Sequence, residues 1–137
     1  MPRGVWIWLA LAVAATSCGG GGTLTEKSFR IQAETIQSLA AEGGLVAEGS
    51  AEARTTETFV SVHTTYLQKE ARKVESDLAS VSASGTLDEK RADAQRLAGD
   101  VAAQLGQLHR APGDQALAAR VQHMLEEDAD AAEKLAQ

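Results

Sequence analysis

Cysteine is almost absent from this chain, since Cys18 is the only one among 137 residues. A single cysteine cannot form an intramolecular disulfide, so the fold must be held together by side-chain packing. Aromatic residues are also scarce, because beyond the first eight residues there are only Phe29, Phe59 and Tyr66. So few rings argue against a surface on which sugars stack.

Positive charge is in short supply as well. The chain contains 13 Lys and Arg residues against 19 Asp and Glu residues, which gives a formal net charge of −6, and no run of basic residues occurs. An acidic chain without a run of basic residues lacks the positive charge that binding to phosphate groups requires. We therefore predict no nucleic-acid partner, and no contact with anionic lipid head groups through the protein itself.

The motifs that carry catalytic or redox chemistry are also missing. No Glu stands three residues before His63, His109 or His123, so the Glu-x-x-His pair of di-iron helical bundles is absent. The sequence has no Cys-x-x-Cys-His, no His-Glu-x-x-His and no Gly-rich phosphate loop. These absences predict a protein that is not an enzyme and has no metal centre or cofactor.

What the chain does have is an informative N-terminal pattern. Arg3 places a positive charge near the N-terminus, and residues 5–15 form an apolar run. About eleven residues at about 1.5 Å each are too short to span a hydrocarbon core of about 30 Å, so the pattern is typical of a cleaved export signal. Four glycines follow Cys18. Glycine has no side chain to pack, so residues 18–23 are predicted to be a flexible tether.

The motif Ala15-Thr16-Ser17-Cys18 resembles the lipobox of bacterial lipoproteins, with Ala15 where that family usually has Leu. The resemblance implies removal of residues 1–17, a diacylglyceryl group on the Cys18 thiol, and acylation of the new amine. Two or three acyl chains give a stable membrane anchor. An ordinary secretory signal cut nearby and an uncleaved anchor are the alternatives.

The resemblance also implies a location. The protein would be held at the extracytoplasmic face of the cell membrane, or of the outer membrane in a double-membrane cell, because Gly19 rather than Asp follows the cysteine. Once residues 1–17 are removed, 12 basic residues remain against 19 acidic ones, and the net charge becomes −7.

The remaining residues, 24–137, predict a single all-α domain, because helix-forming residues dominate and Pro112 is the only proline among them. Thr23 and Glu26 form a capping-box pattern for a first helix. Thr86 is predicted to cap a later helix that starts at about Leu87, and Asp114 to cap the last one.

The position of the first turn decides how many helices there are. Gly43-Gly44 is one candidate, residues 49–55 followed by a threonine cap at 55 or 56 are another, and a single helix over residues 25–82 is a third. The second candidate gives helices of matched length, which cover one another's apolar faces. We therefore predict an antiparallel up-down-up-down four-helix bundle, with three long helices as the alternative.

In that bundle, apolar residues at helical spacing predict the core. Gly43, Ala47 and Gly44 are predicted to mark places where helix backbones approach closely. The predicted core positions are Phe29, Ala33, Ile36, Leu39, Gly43, Val46, Phe59, Val60, His63, Tyr66, Leu67, Val74, Leu78, Val81, Leu87, Ala94, Leu97, Val101, Leu105, Leu108, Leu117, Val121, Met124, Leu125, Ala132 and Leu135.

The histidines are the candidate functional side chains. His63 lies within the apolar stripe of the second helix, where it is a core histidine that a neighbouring helix satisfies, a pH-responsive packing residue, or a metal or ligand contact. His123 and Met124 suit copper by chemistry, but adjacent helical residues point about 100° apart. His109 is expected to interact with a helix dipole, and the acidic residues 126–133 to form a solvated face.

Residues 50–78 are similar to parts of small Ala-rich helical lipoproteins of unknown function from GC-rich bacteria. That resemblance implies no activity. Together the patterns predict a membrane-anchored lipoprotein with a non-catalytic role in protein interaction or envelope structure. Its partners would be the membrane, through lipid on Cys18, and an envelope protein or further copies of the chain. The alternative is an envelope carrier of a small ligand or metal, which would need an internal pocket.

Overall fold

The computed structural model describes residues 22–137, so the predicted export signal and Cys18 lie outside the described residues. The described part is a bundle of four α-helices, which confirms the predicted fold class and the turn before Thr56. A turn at Gly43-Gly44 and a single helix through to Ser82 were wrong alternatives. The helices are α1 (Glu26–Ala51), α2 (Glu57–Ser80), α3 (Thr86–Arg110) and α4 (Gln115–Ala136).

Side-chain caps fix the starts of α2 and α4 where they were predicted. The Thr56 hydroxyl accepts a hydrogen bond from the backbone N–H of Phe59, at 3.1 Å. The Asp114 carboxylate accepts one from the N–H of Leu117, at 2.9 Å. Each cap satisfies a backbone donor that has no partner within the first turn of its helix.

Two other predicted caps are wrong. The capping box of α1 joins Thr25 and Ser28, each side chain accepting from the other's backbone N–H, instead of Thr23 and Glu26. Serine at the third helical position can replace the usual Glu because its hydroxyl also reaches back to the cap. At α3 the cap is Gly85, with φ 60°, and Thr86 is already the first helical residue.

Consecutive helices run antiparallel, and the helix pairs differ in how extensively they pack. α1 packs most extensively against α4, and α2 against α3, whereas α1 and α2 touch much less. α1 also reaches α3 across the diagonal. Among the described residues α2 makes no packing contact with α4, so one side of α2 has no helix against it.

Small residues allow this close diagonal packing. A Cβ atom added at Gly43 would lie 2.8 Å from Leu105 Cδ2 and 3.1 Å from Leu125 Cδ1, which confirms the close approach predicted there. At Gly44 the nearest atom would be Glu126 Cγ, at 3.9 Å, which is an ordinary contact. Ala47 is fully buried.

The two ends of the bundle are different. At one end, the N–H of Leu24 donates to Ser82 O, and the N–H of Ser82 donates to Gly22 O. We call this the tether end, because Gly22, the first described residue, lies there. At the opposite, distal end, the Ser50 hydroxyl in the last turn of α1 donates to Pro112 O at 2.9 Å, and so ties α1 to the connection between α3 and α4. At about 1.5 Å per residue, α1 is about 39 Å long.

None of the four described helices combines the length and hydrophobicity that a membrane-spanning helix requires.

Candidate interaction surface

Large apolar side chains are exposed on one part of the bundle. Leu45 on α1 is 69% exposed, and Phe59, Val62 and Tyr66 on α2 are 42%, 63% and 59% exposed. Together with His63 we call these residues the distal patch. Soluble domains rarely expose contiguous groups of this kind, and such groups commonly mark interaction sites.

The distal patch arises because α2 has two apolar stripes. Val60, Thr64 and Leu67 form a stripe that is fully buried. Phe59, His63 and Tyr66 each stand one residue earlier, and one residue rotates a helix position by about 100°. Because α2 packs extensively on α3 and only lightly on α1, no other helix covers this second stripe, and most of it stays exposed.

The prediction that Phe59 and Tyr66 belong to the core was therefore wrong. Because the two stripes of α2 run side by side, the sequence pattern predicted a single apolar stripe that contained residues of both. Thr64, which is fully buried, was missed. Its hydroxyl donates to Val60 O at 2.7 Å, which satisfies it within its own helix. The spacing from Val60 to Thr64 to Leu67 was the signal that could have found it.

His63 lies half-buried at the edge of the distal patch. Its ring packs on Phe59 with the ring centroids 4.1 Å apart and an angle of 39° between the planes. Within residues 22–137, no hydrogen bond joins this imidazole to another helix. His63 and Phe59 line a depression of about 340 Å³ between α1 and α2, together with Leu45 and Glu42.

We expect His63→Leu to leave thermal stability nearly unchanged, within about 0.5 kcal/mol, because leucine keeps the apolar contact and no described hydrogen bond is lost. Thermal melts of both proteins at pH 5 and pH 8 are the measurement. A clear fall in stability, or a changed pH dependence, would instead favour the pH-responsive interpretation of this histidine.

His109 lies in the last turn of α3, where an interaction with the helix dipole was predicted, and it also contacts α2. Its Nδ1 lies 3.4 Å from Thr64 Oγ1, 3.3 Å from Thr65 Oγ1 and 3.3 Å from Ser61 O. Both threonine hydroxyls donate to backbone carbonyls of their own helix, so their lone pairs are left to accept from the ring. The pattern places the proton on Nδ1, and His109 links α3 to α2.

The remaining candidate ligands are not brought together. His123 is exposed and lies 3.4 Å from Glu127 of its own helix, while Met124 packs against the core. Within the described part of the chain, no group of three or more potential ligands is placed to hold a metal ion. Part of the acidic run lies beside α1, where Glu126 and Asp130 line a second depression of about 310 Å³ together with Glu48.

Asp128 is the one acidic residue with a distinct environment. It faces α3 from α4, and its Oδ2 is buried without a hydrogen-bond partner, as is Oε1 of Gln104. Burial raises the pKa of Asp128 above 3.8, and the Gln104 side chain opposes this effect. The charges of Asp100 and Glu127 raise the pKa further, and that of Arg96 lowers it.

A raised pKa makes the folded state bind its proton more tightly than the unfolded state. The stability of the protein should therefore fall as the pH rises from about 3.8 through the pKa of folded Asp128. We expect Asp128→Asn to raise Tm at pH 7, with the gain disappearing at pH 3.5. Thermal melts from pH 3 to 8 measure this, and the exposed Asp130→Asn is the matched control. Superimposable profiles for Asp128→Asn and the unmodified protein would contradict it.

The site as a whole is an apolar, partly aromatic surface on a small four-helix bundle. No protein family model matches this chain, and no curated protein or solved structure is a match.

Proposed function

We propose that this protein is a membrane-anchored, extracytoplasmic bacterial lipoprotein whose helical domain binds another protein and catalyses no reaction. The anchor is argued from the sequence: an apolar run too short to span a membrane, small residues before Cys18, and four glycines after it.

The observation that carries the interaction role is the distal patch. Leu45 stands 19 residues into α1, about 29 Å along the helix axis from its start. The tether joins the bundle at the other end. Residues 18–21, if fully extended, would reach about 14 Å. An upright bundle would therefore present the distal patch away from its own bilayer, towards another envelope component.

Two further features support a binding role. The acidic domain would be repelled by anionic lipid surfaces, so the lipid on Cys18 would supply the membrane contact. The exposed aromatic rings of Phe59 and Tyr66 in the distal patch are of a kind enriched at protein interfaces.

The test has two parts. Intact-mass spectrometry of the protein purified from its membranes should give a chain that starts at Cys18 and carries acyl chains. Crosslinking in those membranes should then give a stoichiometric protein partner that is lost in Leu45→Lys. An unacylated chain would refute the anchor. An acylated chain without a protein partner would refute the interaction role, and would turn attention to the small-ligand carrier.

A further inference from the structure

We infer that the distal patch binds an amphipathic helix whose apolar face is bordered by lysine or arginine side chains. This inference rests on the proposed interaction role and specifies the chemistry of the partner. It is argued from the shape, the side chains and the charge of the surface.

The shape fits a helix. α1 and α2 are neighbours that pack only lightly against each other, and a groove lies between them towards the distal end, lined by Glu42, Leu45 and Gly49 of α1 and by Phe59 and His63 of α2. The depression between Leu45, Phe59 and His63 lies in this groove. A third helix that packed there would place its rows of side chains into the grooves between the side-chain rows of α1 and α2, which is the usual way in which helices pack.

The side chains supply anchors at matching intervals. Phe59, Val62, His63 and Tyr66 stand at i, i+3, i+4 and i+7 on α2, so they form a continuous strip about two turns long. Aromatic rings bury much apolar area and lose little conformational freedom on binding. An incoming amphipathic helix could lay an apolar face with the same helical spacing against this strip.

The charge around the distal patch selects a basic partner. Glu42 and Glu48 border the groove. Arg54 also lines it, and its guanidinium group forms ion pairs with Glu48 and Glu52. On the other side of Leu45, Glu126 and Asp130 border the second depression.

Elsewhere along α2 the charge is nearly balanced, since its charged residues are the three bases Lys69, Arg72 and Lys73 and the four acids Glu57, Glu70, Glu75 and Asp77. Lysine or arginine side chains on the borders of an incoming helix would therefore meet carboxylates on both sides of Leu45. A second copy of this acidic chain, or an anionic bilayer, would instead bring like charges together.

The binding experiment uses the acylated protein in phosphatidylcholine nanodiscs, with empty nanodiscs subtracted. The probes are two synthetic amphipathic helices of about 18 residues with leucines at i, i+3, i+4 and i+7. One has lysines bordering the leucines, and the other has glutamates. We expect the lysine peptide to bind at least about tenfold more tightly than the glutamate peptide.

Variants then locate the site. Leu45→Lys and Val62→Lys should each weaken binding of the lysine peptide at least about tenfold. Ile31→Lys is the matched control, because Ile31 is an exposed apolar residue of α1 outside the distal patch, 54% exposed. Equal loss in all three variants, or no loss in Leu45→Lys and Val62→Lys, would overturn the inference. If the purified protein lacks acyl chains, the anchor is refuted, and the same binding test is made with that unacylated protein.

Other occupants give distinct results. Val62→Cys in the native membrane would form a disulfide-linked pair of chains if a second copy covered the patch, whereas Ile31→Cys would not. An environment-sensitive dye on Val62→Cys would report an acyl-chain environment in nanodiscs without peptide if the bundle lay on the bilayer. Either result would overturn the inference. Val62→Cys chains that form no disulfide-linked pair, and a dye that reports a solvent-exposed environment, would support it.

Discussion

Cys18→Ala should accumulate as a precursor that retains residues 1–17 and carries no acyl chain. The resemblance to the lipobox makes the modified thiol the condition for cleavage, so the loss of one sulfur atom removes both processing and anchor. Each buried CH₂ group of an acyl chain contributes about 0.8 kcal/mol to membrane binding, so the loss of two or three chains is a very large effect. Intact mass and detergent phase partition measure it.

Ser17→Ala is the matched control for this variant, because it keeps a small residue before the cysteine and leaves the thiol in place. It should be cleaved, acylated and anchored like the unmodified protein. A Cys18→Ala chain that was cleaved normally and still fractionated with membranes would show that an ordinary signal, or another membrane contact, explains the N-terminal pattern.

The fold could be predicted from local chemistry in most places. Thr56 and Asp114 are strong caps that follow breaks in the helical pattern, and both start a helix as expected. The cap of α1 was missed because hydroxyl residues are crowded around it, and several can satisfy the same backbone donors. At α3 the cap is Gly85, which has φ 60° and makes no side-chain hydrogen bond to the helix, so the hydroxyl of Thr86 was a misleading signal. At α1, Thr25 rather than Thr23 is the cap, since Thr23 instead forms a bridge with Ser82. That contact is between residues far apart in sequence, so no local pattern contains it.

The candidate site was harder to predict, for a related reason. The first half of α2 has apolar residues on most of its circumference, and sequence periodicity alone cannot decide which of them are covered. The answer depends on how many helices surround α2. It packs on α3 and lightly on α1, without α4, so Phe59 and Tyr66 remain exposed while Val60 and Leu67 are buried.

α1 packs closely on α3 and α4, and this packing is why α2 has few contacts outside α3. The diagonal contact of α1 with α3 requires a position without a side chain, and Gly43 provides it. Glycine inside a helix costs up to about 1 kcal/mol relative to alanine, and the close packing of Leu105 and Leu125 against it offsets that cost.

Gly43→Val should lower the free energy of unfolding by about 2 kcal/mol, because even its Cβ would overlap Leu105 and crowd Leu125, and both leucines are fully buried. At about 4 °C per kcal/mol, this is a fall of about 8 °C in Tm. Both leucines belong to the core and have no solvent to move into, so α3 or α4 must shift. Thermal or denaturant unfolding followed by circular dichroism measures the change.

Gly44→Val is the matched control, since it places the same side chain one residue along the same helix. There the new Cβ would meet only Glu126 Cγ at 3.9 Å, and that side chain borders an open depression into which it can move. Valine is no worse than glycine in a helix, so stability should stay within about 0.5 kcal/mol of the unmodified protein. Equal losses at the two positions would show that α1 tolerates no side chain anywhere in this region, and that the contact of Gly43 with Leu105 and Leu125 is not what holds α1 against the other helices.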